Sequence, residues 1–225
     1  MESQNYLGPF EGFADQLRDE FQQYGTVINF SKHDNPFDAD LVMDWFYIIQ
    51  SGKVKVYDIN FKTNREQTLY LLSRGDMYDV VPLLDKQEHN LATEVLEAGS
   101  AIRFPLYKVR EWIRAFPKFE LLIYQYVAKQ MRQVEELALD LSLLETKERL
   151  LKLLLHNFES IENRGVNLLS KLSHAEIASL IGTVRHIIDR HLKSLKSEGV
   201  LESGKGKKVE ISNLAKLLKL LDESS

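Results

Sequence analysis

The chain has 225 residues, of which 44% are hydrophobic and 28% charged, a composition typical of a globular protein and not of a disordered chain. It contains no cysteine, so disulfides, thiolate metal sites, cysteine-ligated iron–sulfur clusters and cysteine nucleophiles are excluded together. No apolar run approaches the roughly 20 residues needed to cross a bilayer, and residues 1–5 do not open like a secretory signal. We therefore expect a cytoplasmic protein.

The charge is distributed unevenly along the chain. The formal net charge is -4, but the segment from Thr146 to Ser225 contains 14 Lys+Arg against 10 Asp+Glu and so carries +4, which leaves -8 for the rest. An acidic front and a basic back predict that only the C-terminal part meets the phosphates of a nucleic acid.

The first region, residues 1–115, is predicted to be rich in β-structure. Residues 46–49 form a short apolar run, and residues 53–57 alternate Lys and Val with the period of a strand that has one solvated face. Further strands are predicted at 66–72, 94–96 and 101–104, with a turn at 62–65. Several short strands separated by turns are typical of a small sandwich or barrel.

The second region, residues 116–145, is predicted to be one long helix that begins after Pro117. Its apolar residues recur at intervals of three and four, close to a heptad seam: Ile123, Val127, Met131, Val134, Ala138, Leu141 and Leu144. The same pattern suits an amphipathic helix that lies on its own domain. Because the helix is about 40 Å long at 1.5 Å per residue, we expect the partner to be the same helix of a second subunit.

The third region, residues 146–225, is predicted to be a winged helix-turn-helix. Ser173 and Glu176 have the spacing of a capping box, which predicts a helix start. Gly182 then suits the left-handed residue of a tight turn before a second helix that begins near Val184. Residues 200–202 and 208–211 flank a glycine-rich, basic tip, as the two strands of a wing would.

The second helix of this motif carries the residues expected to contact DNA. Arg185 lies at its start, where a guanidinium can donate to O6 and N7 of guanine, and Arg190 can reach a flank of the site or a phosphate. The lysines supply sequence-independent attraction, although they can equally be ordinary solvated charges. The predicted DNA-binding residues are Ser173, Thr183, Val184, Arg185, His186, Asp189, Arg190, Lys193, Lys205, Lys207 and Lys208.

Three segments together resemble the catabolite activator / fumarate-nitrate regulator (CRP/FNR) family of bacterial transcription factors. Residues 47–56 are similar to its strand-Gly-strand signature, Gly75-Asp76-Met77-Tyr78 resembles its Gly-Asp-apolar-aromatic turn, and residues 172–185 match its helix-turn-helix. The resemblance implies an α+β fold with an N-terminal β jelly-roll sensor domain, a long dimerisation helix and a C-terminal winged helix-turn-helix. It also implies a homodimer that reads a palindrome in double-stranded DNA with paired helices.

The segment that would hold an effector departs from the family pattern. In cyclic-AMP-binding members the turn continues Gly-Glu-Leu and an Arg-Ser pair follows, whereas this chain has Asp79-Val80-Val81 and then His89-Asn90. A carboxylate at Asp79 would repel a phosphate, and Val80 cannot bind a ribose hydroxyl. The candidate pocket residues are Gly75, Asp76, Tyr78, Asp79, Val80, His89 and Asn90, and cyclic AMP is not expected there in the usual way.

No cofactor and no metal site are predicted. The lack of cysteine excludes the family's iron–sulfur oxygen sensors. Haem could be ligated by His33 or His89, but a lone histidine is more often a surface residue. The recognition helix also departs from the family, which commonly has Arg-Glu where this chain has Arg185-His186, so the operator need not be the usual one.

An enzyme is not expected. Residues 199–206 nearly spell a P-loop, but Gly206 replaces the Ser or Thr that would hold Mg²⁺, and the segment follows a helix. Three functions remain: an effector-gated homodimeric transcription regulator, with RNA polymerase as a further partner if it activates; a constitutive DNA-binding dimer; and a cyclic-nucleotide-binding module that regulates another protein. The altered pocket and intact helix-turn-helix disfavour the third and do not decide between the first two.

Overall fold

A computed structural model describes residues 15–37, 44–63, 65–88, 90–202 and 209–223. The strands are β1 (Thr26–Phe30), β2 (Trp45–Asn60), β3 (Arg65–Leu72), β4 (Met77–Tyr78) and β5 (Ala92–Pro105). The helices are α1 (Asp15–Tyr24), α2 (Val80–Asp85), α3 (Leu106–Ala115), α4 (Pro117–Leu143), α5 (Thr146–Arg164), α6 (His174–Leu180), α7 (Arg185–Ser197) and α8 (Leu214–Asp222). Apart from α1 and α2, the helices follow the strands along the chain, which confirms the predicted α+β class.

The strands form one antiparallel sheet in the order β1-β5-β2-β3, with β4 paired to β2. The short strands predicted from the sequence are parts of longer ones, since residues 46–49 and 53–57 both belong to β2. Gly52 keeps β2 continuous because its φ of +86° and the Glu97 carbonyl oxygen, 2.5 Å from where a Cβ would lie, leave room only for glycine.

Over residues 53–56 both faces of β2 are buried, whereas the Lys-Val alternation predicted one solvated face. The side chains of Lys53 and Lys55 are 5% and 6% exposed. Their Nζ atoms lie 3.1 Å from Glu97 Oε2 and 2.8 Å from Glu94 Oε2, on strand β5. Neutralisation by glutamates of a neighbouring strand is what allows the lysines to be buried, and a period-two pattern cannot reveal it.

The chain folds into two compact units, the described residues within Met1–Val56 and Tyr70–Val134, and those within Tyr57–Leu69 and Glu135–Ser225. The first unit is built around aromatic side chains of α1, β5, α3 and α4: Phe21, Phe104, Trp112 and Phe119, with ring centroids 4.7–6.2 Å apart. This cluster fixes the first turns of α4 in the core of the first unit.

The second unit has a core of leucines and isoleucines. It is formed by α5, α6, α7, α8 and the segments between them: Leu150, Leu151, Leu154, Leu172, Ile177, Ile188, Leu192, Leu195 and Leu217. The two units differ from the predicted ranges 1–115, 116–145 and 146–225, because the β2–β3 hairpin belongs with the C-terminal residues. The three-part division remains a prediction.

Across the described segments, no helix is both long and apolar enough to span a membrane.

Candidate functional site

The first helix of the helix-turn-helix is capped as the sequence predicts. Ser173 Oγ accepts a hydrogen bond from the Glu176 backbone N–H at 3.2 Å, and the Glu176 carboxylate accepts one from the Ser173 N–H. This reciprocal pair satisfies two of the free N–H groups at the start of α6. The Ser173 side chain therefore has a structural role at the helix end.

The turn between α6 and α7 requires glycine. Gly182 has a φ of +66°, and a Cβ at this position would lie 2.5 Å from Leu141 Cδ2 and 2.6 Å from Gln67 Oε1. The Thr183 N–H then returns to the Ala178 carbonyl at 2.9 Å. The left-handed residue predicted at Gly182 is confirmed, and the close approach of two side chains adds a second reason for it.

The carbonyl groups of the turn are bound by side chains distant in sequence. Arg149 Nε donates to the Ile181 carbonyl at 2.8 Å, and the Arg65 guanidinium donates to the Gly182 carbonyl. Gln67 Nε2 donates to the Ser179 carbonyl at 3.2 Å. Donors and cations at a helix C-terminus satisfy free carbonyls and complement its dipole, so these contacts fix the end of α6.

Sequence reasoning missed these three residues. Arg65 and Gln67 are 117 and 112 residues away from their partners along the chain, and no local pattern marks them.

Helix α7 presents one polar, exposed face and one buried face. Its buried face consists of Ile188, Leu192 and Leu195. The exposed face brings together six of the predicted DNA-binding residues: Val184, Arg185, His186, Asp189, Arg190 and Lys193. Thr183 is half-buried just before the helix. A helix with donors at its N-terminal end and cations along one exposed face has the form that enters a major groove.

A small network orients the first arginine of that face. Arg185 has a side chain that is 73% exposed, and its Nε lies 3.6 Å from Asp189 Oδ2, one turn further along α7. Asp189 Oδ1 is in turn hydrogen-bonded to His174 Nδ1 of α6. The His174 bond holds the pKa of the Asp189 carboxyl below its usual value. The carboxylate can therefore direct Arg185 or accept a bond from cytosine N4, and His174 is a participant that the sequence did not single out.

The predicted wing begins as an antiparallel pair. Leu201 forms a bridge with Ile211, and the Glu202 N–H donates to the Glu210 carbonyl at 2.9 Å. The tip lysines, Lys205, Lys207 and Lys208, lie outside the described residues, so their contact with phosphate remains a prediction.

The predicted effector turn has a structural part and a pocket part. Gly75 has a φ of +87°, and Asp76 Oδ2 accepts bonds from the Ser73 N–H at 2.9 Å and hydroxyl at 3.1 Å. Tyr78 is buried, with its ring stacked on Phe37 at a centroid distance of 4.5 Å. Gly75 and Asp76 therefore build the turn. Neither lines the cavity beside it.

That cavity, about 20 Å³ in volume, contains a buried carboxyl group. Asp79 is 3% exposed, and neither of its oxygens has a hydrogen-bond partner among the described residues. Burial raises the pKa of Asp79 to about 8. The lining residues are Val56, Tyr70, Leu72, Met77, Tyr78, Asp79, Val80, Val81 and Gln130. None of these is a cation that could bind a phosphate.

Of the two other predicted pocket residues, Asn90 is exposed and is not among the lining residues. His89 lies outside the described residues, so its part in the pocket remains a prediction. Pockets for drug-sized ligands measure roughly 300–1,000 Å³, whereas this cavity has room for about one water molecule.

Helix α4 is bound to the turn beside the cavity. The Tyr126 hydroxyl donates to the Met77 carbonyl at 3.0 Å and accepts from the Met77 N–H at 2.9 Å. Gln130 Nε2, which also lines the cavity, donates to the same hydroxyl at 2.7 Å. These bonds attach the turn at Met77 to α4.

The predicted dimerisation seam is buried at its start and exposed further along. Ile123 is fully buried in the core of its own chain, so it has no surface for a partner, in contrast to the prediction. Val127 is half-buried against the same core, and Leu144 is half-buried. The exposed apolar members are Met131, Val134, Ala138 and Leu141, with Met131 at 62%. A heptad pattern cannot separate the two cases because both faces of α4 are apolar near its start.

His33 is exposed and pairs with a glutamate of β5. Its Nδ1 lies 2.9 Å from Glu94 Oε1, and its side chain is 69% exposed. Over the segments that the structure describes, no group of three or more His, Asp or Glu side chains could hold a metal ion.

Two family models match separate parts of the chain. The cyclic nucleotide-binding domain matches residues 27–116, and the Crp-like helix-turn-helix domain matches residues 148–220. The first range contains the sheet except for Thr26 and the lining of the cavity except for Gln130, and the second contains α6 and α7.

Relatives match over most of the chain. The "Cyclic AMP receptor protein" of Thermus thermophilus is 29% identical over 178 residues, which cover 76% of each chain. The "Global nitrogen regulator" of a Synechocystis strain is 28% identical over 175 residues, 74% of this chain and 76% of that one. The structure of FixK2 from Bradyrhizobium japonicum shares the fold, with a TM-score of 0.76 at 19% identity over 87% of this chain and 96% of its own. The chain thus belongs to the CRP/FNR family of DNA-binding transcription regulators.

Proposed function

We propose that this regulator acts as a homodimer on a palindromic operator and is gated by an effector other than cyclic AMP. The observation that carries the proposal is the exposed face of α7, where Arg185, His186, Asp189, Arg190 and Lys193 lie opposite a fully buried face. Arg185 reads guanine, and Arg190 and Lys193 bind phosphates or flanking bases.

The dimer is supported by the exposed apolar side chains of α4. Met131, Val134 and Leu141 of the predicted seam are 62%, 36% and 37% exposed in the single chain. Removing such side chains from water against a second copy contributes about 25 cal/mol per Å² of apolar area. The two α7 helices of the dimer then enter successive major grooves roughly 34 Å apart.

An effector other than cyclic AMP is supported by the chemistry of the cavity. A cyclic phosphate needs a cation or several N–H donors, and the cavity presents the Asp79 carboxyl in their place. Relatives of similar identity have names as different as "Cyclic AMP receptor protein" and "Global nitrogen regulator", so kinship does not select the effector. We propose no tightly bound cofactor, no haem and no catalytic activity.

A gate at this position would act through α4. The bonds of Tyr126 to Met77 and Gln130 link the cavity wall to the helix that carries the dimer seam. An effector that binds one arrangement of this link better than another shifts the population of dimers whose reading helices match the operator. We place the protein in the cytoplasm, with RNA polymerase as a further partner if it activates.

A constitutive dimer without an effector is the second candidate, and the small volume of the cavity favours it. A cyclic-nucleotide-binding module that acts on another protein is the third, and the absence of a cation among the lining residues disfavours it.

The test is selection from a random duplex library, with and without cyclic AMP. The wild-type protein, Arg185→Ala and Lys219→Ala are compared, the last removing an exposed cation of α8 as a matched control. We expect a two-fold symmetric motif with the wild type and the control, relaxed or lost in Arg185→Ala, and unchanged by cyclic AMP. A motif that Arg185→Ala selects unchanged would contradict sequence-specific reading by α7. A motif that requires cyclic AMP would contradict the effector assignment.

A further inference from the structure

Asp79 places a carboxyl group on a left-handed turn of the backbone. Its φ of +65° lies in a region that Asp tolerates better than most residues. Cyclic-AMP-binding members of the family have Gly at this point of the turn, so the left-handed backbone belongs to the turn itself and does not require a carboxyl group. The carboxyl group needs a separate reason, because a buried polar group without a partner destabilises the fold.

The charges around the cavity are engaged elsewhere. Lys129 of α4 lies 3.5 Å from Asp76 Oδ1, on the turn. Arg110 of α3 donates from Nη2 to the Pro82 carbonyl at 2.9 Å and from Nε to the Leu83 carbonyl at 3.1 Å. Neither cation is bonded to Asp79, so no cation of the described residues neutralises that carboxyl when it ionises.

The remaining groups that face Asp79 do not titrate near neutral pH. Strand residues Tyr70 and Tyr78 line the cavity, and burial raises the pKa of both phenols above the usual value of 10.0. Burial likewise raises the pKa of Tyr126 on α4, and Gln130 is uncharged. Among the described residues, Asp79 is therefore the group of this cavity that titrates in the neutral range.

We propose that Asp79 binds the primary ammonium group of a small organic amine, and that this amine is the effector of the regulator. Three N–H donors on one nitrogen match a carboxylate that has no hydrogen-bond partner among the described residues. A volume of about 20 Å³ admits a group the size of one water molecule, as an ammonium head is, but not a planar guanidinium. The status of the amine as effector rests on the proposed function, whereas its binding does not.

The mouth of the cavity suits a short alkyl chain attached to that nitrogen. Val81 is 46% exposed there, whereas Val56, Leu72 and Val80 are buried and line the space that the ammonium head would fill. An alkyl chain that leaves the cavity over Val81 would bury apolar area on both partners.

Binding of the ammonium ion should release a proton. Near pH 7 the Asp79 carboxyl is protonated, since burial raises its pKa to about 8, and an alkylamine is already an ammonium ion. The ion pair needs the carboxylate, so one proton passes from the Asp79 carboxyl to the buffer as the ammonium binds. About nine-tenths of a proton is released per site at pH 7, and affinity rises about tenfold per pH unit up to about pH 8.

The test is titration calorimetry of the full chain with n-butylammonium chloride at up to about 10 mM, in buffers of different ionisation enthalpy. Uncharged 1-butanol and anionic butyrate serve as probes of the same chain length. Asp79→Asn keeps the shape of the side chain and removes its charge. Asp85→Asn changes an exposed carboxyl of the same helix, whose Oδ1 accepts from the Gln87 N–H, and serves as the control.

We expect the wild type and Asp85→Asn to bind butylammonium with release of close to one proton and to ignore butanol and butyrate, while Asp79→Asn binds none. No butylammonium binding, or binding that Asp79→Asn retains, would overturn the proposal. Operator binding by the same proteins, with and without the amine, distinguishes the amine site from the proposed DNA-binding function. If the selected motif is found and the amine does not bind, only the proposed ligand class is wrong. If the amine binds and no motif emerges, the amine site remains supported and the proposed function is wrong. Amine binding that leaves operator affinity unchanged would overturn the effector role.

Discussion

Replacing Asp79 by asparagine should make the stability of this protein less dependent on pH. Burial raises the folded-state pKa of Asp79 to about 8, from an ordinary value of 3.8. Between these two values the folded chain holds a proton that the unfolded chain has released. The contribution of Asp79 to stability is therefore fully present below about pH 4 and is lost as the pH rises towards 8.

The magnitude follows from linkage. For each pH unit in this interval, the free energy of unfolding of the wild type falls by about 1.36 kcal/mol relative to that of a variant that cannot titrate. Between about pH 5 and about pH 7 the free energy of unfolding of Asp79→Asn should therefore gain about 2.7 kcal/mol on that of the wild type. Above about pH 8 the difference should become constant, because the carboxyl is then ionised in both states.

The assay is urea denaturation followed by circular dichroism at several pH values from about 5 to about 9. Asp85→Asn is the control, since its carboxyl is exposed and should give a difference from wild type that varies by less than about 0.5 kcal/mol over the series. If the difference between Asp79→Asn and wild type were equally flat, the carboxyl would not be protonated in the folded state, and the account of the cavity would be refuted.

Two further substitutions test the helix-turn-helix and the dimer. Gly182→Ala should lower the free energy of unfolding by at least about 1–2 kcal/mol, because it forces a left-handed alanine against Leu141; an unfolding curve that overlays the wild type would show that the turn adjusts freely. Met131→Asp should shift the protein from dimer to monomer in sedimentation equilibrium, because it places a charge in the apolar interface. The control is Phe61→Asp, at an 89% exposed apolar site in the β2–β3 hairpin, which should leave the dimer intact. A Met131→Asp dimer as stable as the wild type would exclude this face of α4 from the interface.

Local features of the helix-turn-helix were predictable from the sequence. The capping box at Ser173 and Glu176 and the left-handed turn at Gly182 involve residues at most a few positions apart, so their residue types are sufficient. The exposed face of α7 follows in the same way from the helical period. These are the elements for which sequence and structure agree.

Features that depend on distant partners were not predictable. The lysine alternation in β2 reads as a solvated face until Glu94 and Glu97 of β5 are known to neutralise it. The binding of turn carbonyls by Arg65 and Arg149 has no local pattern at all.

The role of Asp79 was half predictable. The sequence shows a carboxyl where a phosphate site would need a donor, so it disfavours cyclic AMP. Only the fold shows that this carboxyl is 3% exposed and without a partner among the described residues. The same group that disfavours cyclic AMP therefore favours a cationic ligand.

The central claim, that Arg185 reads base sequence in a dimer, is tested most directly by fluorescence anisotropy. The affinities of the wild type and Arg185→Ala are measured for the selected operator and for a scrambled duplex at one salt concentration. Loss of a bidentate guanine contact costs about 1–3 kcal/mol in each half-site. Over two half-sites the ratio of operator to scrambled affinity should therefore fall by about thirtyfold or more, with a smaller loss on the scrambled duplex. An equal loss on both duplexes would mean that Arg185 binds only phosphate, and it would contradict the account.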